Sequence, residues 1–206
     1  MTDVLLRDAR RDSEDEVAVA WDLETATDRM FSIMLGSKWE DTLRAVVAQP
    51  GHAWSVDRAR IAEIDGSTVG VLLGAPATAP EPADSLGLPW GWTRLRLFAV
   101  GMACQPFLSF MSHHEAGEWY ITAVSVTPEA RGRGVGARLL EDAVTRARAE
   151  GATSVTLDVD ASNSGARRLY ERHGFVVTGI SSSAWLRGGV RVQRMRRVLH
   201  TGTPSE

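Results

Sequence analysis

The run Val126-Thr127-Pro128-Glu129-Ala130-Arg131-Gly132-Arg133-Gly134-Val135-Gly136-Ala137 decides how the chain is read. It joins an apolar segment that reads as a strand, Glu118 to Val126, to an amphipathic helix from Val135 to Glu150. That helix gathers Val135, Leu139, Leu140, Ala143, Val144 and Ala147 on one face. Three glycines at such a junction let the backbone turn its amides toward one point, and the helix start adds a partial positive charge. Together these cradle phosphate oxygens, with full charges from Arg131 and Arg133 beside them. A glycine-rich turn with solvated arginines is the plain alternative. Two familiar cradles do not fit. A P-loop needs Lys and then Ser or Thr after its last glycine, and this run has neither. A dinucleotide fingerprint can be threaded through Gly132, Gly134 and Ala137, with Asp158 as the acidic ribose ligand. It should follow its strand closely, yet Thr127 to Arg131 intervene, and only about 70 residues remain downstream for a doubly wound sheet.

Working outward, Val155, Leu157 and Val159 alternate with polar residues and predict a strand. Asn163 can cap a helix over Ser164 to Arg172, which Gly174 ends. His173 stands at that helix's C-terminus as a dipole partner. Phe175 to Ile180 and Val190 to Leu199 predict a final strand pair. Upstream, Ala59 to Ile64 and Thr68 to Leu73 flank Asp65-Gly66, a dipeptide suited to a tight hairpin turn. Ser13 with Glu16 and Ser37 with Glu40 read as capping boxes. The first opens a helix from Glu14 to about Met34, with Val17, Ala20, Trp21, Met30, Phe31 and Met34 on one face. The second opens a shorter helix carrying Trp39, Leu43, Val46 and Val47. Val4 to Leu6 suits a first strand. Gly74 to Trp92 holds four of the eight prolines and reads as an extended loop; Arg94 to Met111 is apolar and partly helical, broken at Pro106. The order is strand, two helices, hairpin, insert, then β-α-β-α-β-β, which predicts a mixed α/β architecture with one sheet.

At 206 residues, with no linker or repeat, the chain predicts a single domain over 1–206 with an insertion at about 74–117. One cysteine, Cys104, permits no intrachain disulfide, and a reducing, cytoplasmic setting follows. A net charge of -3 argues against nucleic acid as the main partner, although Arg187, Arg191, Arg194, Arg196 and Arg197 make the last hairpin basic, by default as a solvated surface. The longest apolar stretch, Leu97 to Met111, is shorter than the ~20 residues of a membrane span and is interrupted by Gln105 and Pro106, so no membrane is expected. Met1 to Arg11 is charged and shows no signal peptide. His113-His114 comes without a second metal-ligand motif, so no metal is expected.

Arg131-x-x-Gly134-x-Gly136, entering its helix, resembles the R/Q-x-x-G-x-G/A signature of the GCN5-related N-acetyltransferases. Leu157-Asp158, Asn163-x-x-Ala166-x-x-Leu169-Tyr170 and Gly174-Phe175 resemble that family's next motif, in order and at its spacing. The resemblance is firm from about Glu118 to Gly179 and looser over the N-terminal strand, two helices and hairpin.

The resemblance implies an acyl-CoA N-acyltransferase fold: a single mixed, centrally splayed β-sheet flanked by helices. It implies acetyl-CoA as cosubstrate and transfer of acetyl to a primary amine by direct attack in a ternary complex. The pyrophosphate is then expected on Arg131, Gly132, Arg133, Gly134, Val135, Gly136 and Ala137. The pantetheine arm is expected along Val124 to Val126, pairing as an added strand would, which requires that strand to part from Ser154–Val159. A strand amide near Val124 would hold the oxyanion. Asn163 is implied to touch the cofactor arm, or it simply caps its helix. Tyr170 is implied to protonate the departing sulfur, or it is a core residue with its hydroxyl at the rim. For the base, Glu118 at the strand start shares a face with Tyr120; it accepts the amine's proton or is a solvated strand end, with Glu115, His113 and His114 in reserve. Trp90, Trp92 and Trp119 suit an aromatic wall on the acceptor side, or plain core packing. Cys104 suits a buried apolar role. Acceptors range from amine-bearing small molecules to protein N-termini, and a homodimer is in keeping with the family. The rival reading is a non-catalytic acyl-CoA sensor or protein-interaction module.

Overall fold

A computed structural model of the chain describes residues 4–27, 29–79, 110, 113–183 and 190–199. In chain order the elements are β1 (Leu5–Asp8), α1 (Ser13–Ala26), α2 (Met30–Leu35), α3 (Trp39–Val47), β2 (Ala59–Ile64) and β3 (Ser67–Pro76). Then come β4 (Glu118–Val126), α4 (Val135–Ala149), β5 (Ser154–Asp160), α5 (Ser164–Arg172), β6 (Val176–Ser183) and β7 (Val190–Val198). The seven strands form one sheet in the order β1-β2-β3-β4-β5-β7-β6. Every neighbouring pair is antiparallel except β4 and β5, which run parallel. The mixed, helix-flanked sheet is the expected α/β class.

Local chemistry explains most of these bounds. Asp65 and Gly66, both at positive φ (52° and 76°), make the two-residue turn between β2 and β3. Asn163 caps α5, its side-chain oxygen accepting the Ala166 amide at 3.0 Å, and His173 Nδ1 meets the Leu169 carbonyl at 2.8 Å at the other end. Three expectations need correction. Asp12, not Ser13, caps α1, accepting the Asp15 amide at 2.9 Å. The predicted long helix to Met34 is two helices, because Arg29 sits at φ 65° and ends the right-handed run. Ser37 caps nothing; a 3-10 turn over Gly36–Lys38 leads into α3 with no side-chain cap. In addition, β3 continues through Gly74–Pro76, where a loop is expected, because Ala75 is buried and pairs with Tyr120.

Alternation along the strands splits the core in two. On one face, Ala62, Ile64, Leu72, Trp119, Ile121, Val155 and Leu157 pack with Val135, Leu139, Leu140, Ala143 and Val144 of α4 and with Tyr170 of α5. On the other, Ile61, Val71, Leu73 and Ala123 pack with Val19, Ala20 and Leu23 of α1, Phe31 of α2, and Leu43 and Val47 of α3. Trp21, placed by periodicity on the apolar face, is half exposed and stacks edge-on against Trp39 at 4.8 Å. The side chains of Met30 and Met34 lie outside the described residues, as do Trp90, Trp92, Cys104, Arg187 and most of 94–111. No helix among the described residues is long and apolar enough to cross a membrane.

The sheet opens at its centre. Parallel pairing of β4 with β5 runs from Glu118↔Ser154 to Ile121↔Leu157 and stops there. On its other edge β4 stays paired with β3 as far as Val126. The cause lies in β4 itself. Leu73 pairs with Ala123 and Gly74 with Ile121, so Thr122 is an extra residue in the strand. Such a bulge bends its strand and redirects the residues beyond it. Past Thr122, β4 leaves β5, and among the described residues the β5-facing edge of Ala123–Val126 is bare of strand partners.

Candidate active site

The bare edge leads directly to the glycine turn. A 3-10 turn over Pro128–Ala130 comes after β4, and Gly132 and Gly134 take φ of 75° and 84°, where a side chain would be strained. A Cβ built at either position meets nothing within 4 Å, so the turn's surface is open. Gly134 opens α4 without any side-chain cap. The helical ladder starts with the Arg138 amide on the Gly134 carbonyl at 3.1 Å, which leaves the amides of Val135, Gly136 and Ala137 ahead of it, as at any helix start. Not all of the expected cradle is alike. The Arg131 and Arg133 amides turn inward to Pro128 and Ala130 carbonyls. Both arginines are exposed, and the Arg131 side chain folds back on the Val126 carbonyl at 3.3 Å. Gly136 serves packing: a Cβ there would stand 3.1 Å from Leu169 of α5.

Two buried titratable side chains come from opposite sides of the sheet, Tyr170 with the α4-side core and Asp22 from α1. Tyr170 on α5 is buried against Phe175, ring centroids 6.0 Å apart. Burial first, and the charge of Asp22 second, push its phenol up to about 12. Asp22 comes from α1, is 1% exposed, and faces Ser125 on the bare part of β4. Ser125 steadies its charged form slightly, but neither Asp22 oxygen has a hydrogen bond of normal geometry; burial dominates and pushes the carboxyl up to about 8. Asp22 is the residue that the sequence reading missed. Its one signal was spacing: Asp15, Val19 and Asp22 share a helical face, and Val19 is wholly buried.

Glu118 lies at the closed end of the β4–β5 pair, opposite Ser154. It is buried, accepts the Glu115 amide at 3.1 Å, and has His114 at 3.7 Å and Arg196 at 3.9 Å. Further along the same face, Asp158 accepts the Tyr120 hydroxyl at 3.0 Å and a bidentate grip from Arg194 at 3.0 and 2.8 Å. Arg194 also donates to the His113 carbonyl and stacks on Phe110 at 4.8 Å. Arg196 reaches Glu115 at 2.7 Å. The expectation of a solvated basic hairpin is thus corrected for Arg194, whose charge is spent on the buried Asp158, and in part for Arg196, which pairs with the exposed Glu115 and lies 3.9 Å from the buried Glu118. Asp158 is equally committed and is not a ribose ligand in waiting.

A shallow pocket, open to solvent, adjoins this network. Trp54, Pro76, His114, Tyr120 and Thr122 line it, and Thr122 is the bulge residue at the head of the opening. Trp54 is the tryptophan among the pocket's lining residues. Trp119, proposed for an aromatic wall, lies fully buried in the α4-side core, its indole so close to Gly74 that a Cβ there would stand 2.3 Å away.

The profile described as the acetyltransferase (GNAT) family matches residues 37–175, more than half of the chain, and the chain belongs to that family. A mycothiol acetyltransferase of Paenarthrobacter aurescens (strain TC1) is 42% identical over 64 residues, which cover 31% of this chain and 19% of that protein. Among solved structures, one described as the crystal structure of acetyltransferase superposes with a TM-score of 0.65 at 24% identity, over 95% of this chain and 100% of the other. A chain from the NatC complex bound to Gag peptide and CoA does so with a TM-score of 0.58 at 15% identity, over 96% and 99%. These two likenesses are of fold. What is shown is membership of the acetyltransferase (GNAT) family, and the chain spans about a fifth of the length of the mycothiol acetyltransferase it matches.

Proposed function

We propose that the chain moves the acetyl group of acetyl-CoA to a primary amine by direct attack in a ternary complex. The observation that carries this reading is the parting of β4 from β5 beyond Ile121 and Leu157. A thioester arm lying there would find the bare main-chain edge of Ala123–Val126, as an added strand does, and would lead its diphosphate to the open start of α4. The NatC complex, one chain of which has a like fold, is described as bound to CoA, which supports the choice of cosubstrate. The mycothiol acetyltransferase supports acetyl transfer, but a match over 19% of its length leaves its acceptor its own.

On this reading the acceptor enters by the pocket at Thr122 and Tyr120. The amine must lose a proton to attack. Glu118, with His114 3.7 Å away on the pocket wall, accepts it, directly or through water. An amide near Val124 holds the oxygen as charge builds on it. Tyr170, whose phenol stays protonated throughout the neutral range, gives its proton to the departing sulfur. The exposed Asn163 keeps its amide nitrogen for the cofactor arm while its oxygen caps α5. Arg131 and Arg133 steer phosphate to the turn.

An amine panel with acetyl-CoA, read as thiol release, tests the whole. Tyr170→Phe lowers turnover at least ~100-fold while coenzyme affinity by calorimetry stays within a few fold. Glu118→Gln removes a limb of the pH–rate profile that Tyr170→Phe leaves in place. A wild-type protein that binds acetyl-CoA but releases no thiol with any amine is instead a sensor.

A further inference from the structure

The pocket beside the opening has two kinds of wall. Tyr120 and Thr122 of β4, with His114, make one side polar, and Thr122 is where the strands begin to part. Pro76 at the end of β3, with Ala53, Trp54 and Ala77, makes the other side apolar. Trp54 is the large group of that side. It is half-buried and packs on the α1-side core, with Phe31 of α2 edge-on to it, ring centroids 5.7 Å apart and planes at 80°. Trp54 stands in a connecting turn, on neither strand nor helix, and a single buried side chain fixes that turn. His52 is 6% exposed and both of its ring nitrogens are engaged. Nε2 donates to the Val46 carbonyl at 3.0 Å, in the last turn of α3, and Nδ1 accepts the Trp54 amide at 3.1 Å. A carbonyl only accepts and an amide only donates, so the ring carries its proton on Nε2 and presents the Nδ1 lone pair to Trp54. A side chain that accepts from the amide two residues on closes the chain as Asn or Asp does in an Asx-turn. The Ser55 amide, on the His52 carbonyl at 3.1 Å, completes it.

We propose that the acceptor is an amine carried on an apolar body, and that Trp54, tied to α3 through His52, is the residue that selects it. The proposal rests on the acetyl-transfer reading and names the substrate class of that same site. An amine whose nitrogen lies on the polar wall, beside the opening, lays its body along the apolar one. There each methylene taken from water raises affinity about fourfold. A hydroxyl or a charge on the body would give up its water against carbon, which opposes binding. Trp54 offers the broadest apolar surface of the wall and touches the acceptor's body; His52 touches no substrate and is a positioning residue, acting by holding the Trp54 main chain.

Thiol release from acetyl-CoA with hexylamine, phenylethylamine, ethylamine and ethanolamine tests this. In wild type, kcat/KM for hexylamine exceeds that for ethanolamine by ~30-fold or more. Trp54→Ala cuts that ratio at least ~fivefold, through the KM of the long amine, and does not move the KM for acetyl-CoA. Trp54→Phe keeps most of the ratio. His52→Gln can still reach the Val46 carbonyl but places no acceptor at the Trp54 amide, and it cuts the ratio as Trp54→Ala does. His52→Asn puts an oxygen where Nδ1 stands and keeps the wild-type ratio, which a merely structural role for the ring would not allow. The double variant His52→Gln/Trp54→Ala is no less selective than Trp54→Ala alone, because one acts through the other. A wild-type ratio near one, a ratio that Trp54→Ala leaves in place, or equal losses in His52→Gln and His52→Asn overturns the proposal. If the wild type acetylates no amine, the functional reading fails separately, and the pocket is judged by binding. With 15N-labelled tryptophan, Trp54→Ala identifies one indole signal among the seven tryptophans. That signal moves with phenylethylamine and not with ethanolamine; a signal that phenylethylamine leaves in place rejects the proposal.

Discussion

A carboxyl whose folded-state pKa stands near 8 against an ordinary 3.8 makes the folded protein a proton binder. Between those two values the native state keeps a proton on Asp22 that the unfolded chain has lost. Stability therefore falls as the pH rises through that window and levels off above it. Asp15 has the opposite sense. Burial pushes it up, but hydrogen bonds from Arg7 and the Arg10 amide outweigh that and hold it below the usual range. Its contribution is full at neutral pH and is lost in strong acid. Asp22→Asn removes only the first dependence. Its melting temperature should exceed wild type's at about pH 9 and match it near pH 4, a difference of up to about 5 kcal/mol in stability. Equal pH dependence in the two proteins would mean that Asp22 is ionised in the fold. None of this was legible from the residue itself. An aspartate among Glu14, Asp15, Glu16 and Glu24 reads as one more solvated acid until the sheet beneath α1 is known.

Elements whose ends are set by local chemistry were readable in advance. The Asp65-Gly66 turn, the Asn163 cap and the bounds of α5 arise from residues that need no distant partner. Apart from the two misplaced caps, at Ser13 and Ser37, the errors fall where a longer-range choice decides. Periodicity alone carries a helix through Thr27–Arg29, yet the chain breaks there so that Glu24 can cap the Ser32 amide from the preceding helix. The extra residue at Thr122 is equally silent in sequence, since it is defined only by what β3 places opposite. The parting of β4 and β5 was therefore reached by resemblance, not by reading residues. The glycine turn belongs to the legible kind, and it sets a prediction at this scale. Gly134→Glu puts a strained φ, bulk and negative charge at the open start of α4. Coenzyme binding by calorimetry should be lost while the circular dichroism spectrum stays native; retained binding would place the diphosphate elsewhere.

Over the whole molecule, the sheet is two antiparallel halves joined by only four parallel pairs, Glu118↔Ser154 to Ile121↔Leu157. The β1–β4 half carries α1 and α3 on one face, and the β5–β7–β6 half is clamped to β4 by the Tyr120–Asp158–Arg194 network. Hydrogen exchange should reveal this division. The β5-facing amides of Ala123–Val126 should exchange faster than the paired amides of Glu118–Ile121, and acetyl-CoA should slow them selectively; uniform protection along β4 without ligand would mean that the strands do not part. The division has a further consequence. Main-chain groups, which mutation cannot easily alter, face the proposed coenzyme, while the proposed acceptor is faced by side chains such as Trp54, which mutation can replace. An ancestor so built can swap clients without relearning its donor, and directed evolution aimed at the Trp54 wall should broaden the range of amines while the appetite for coenzyme holds steady.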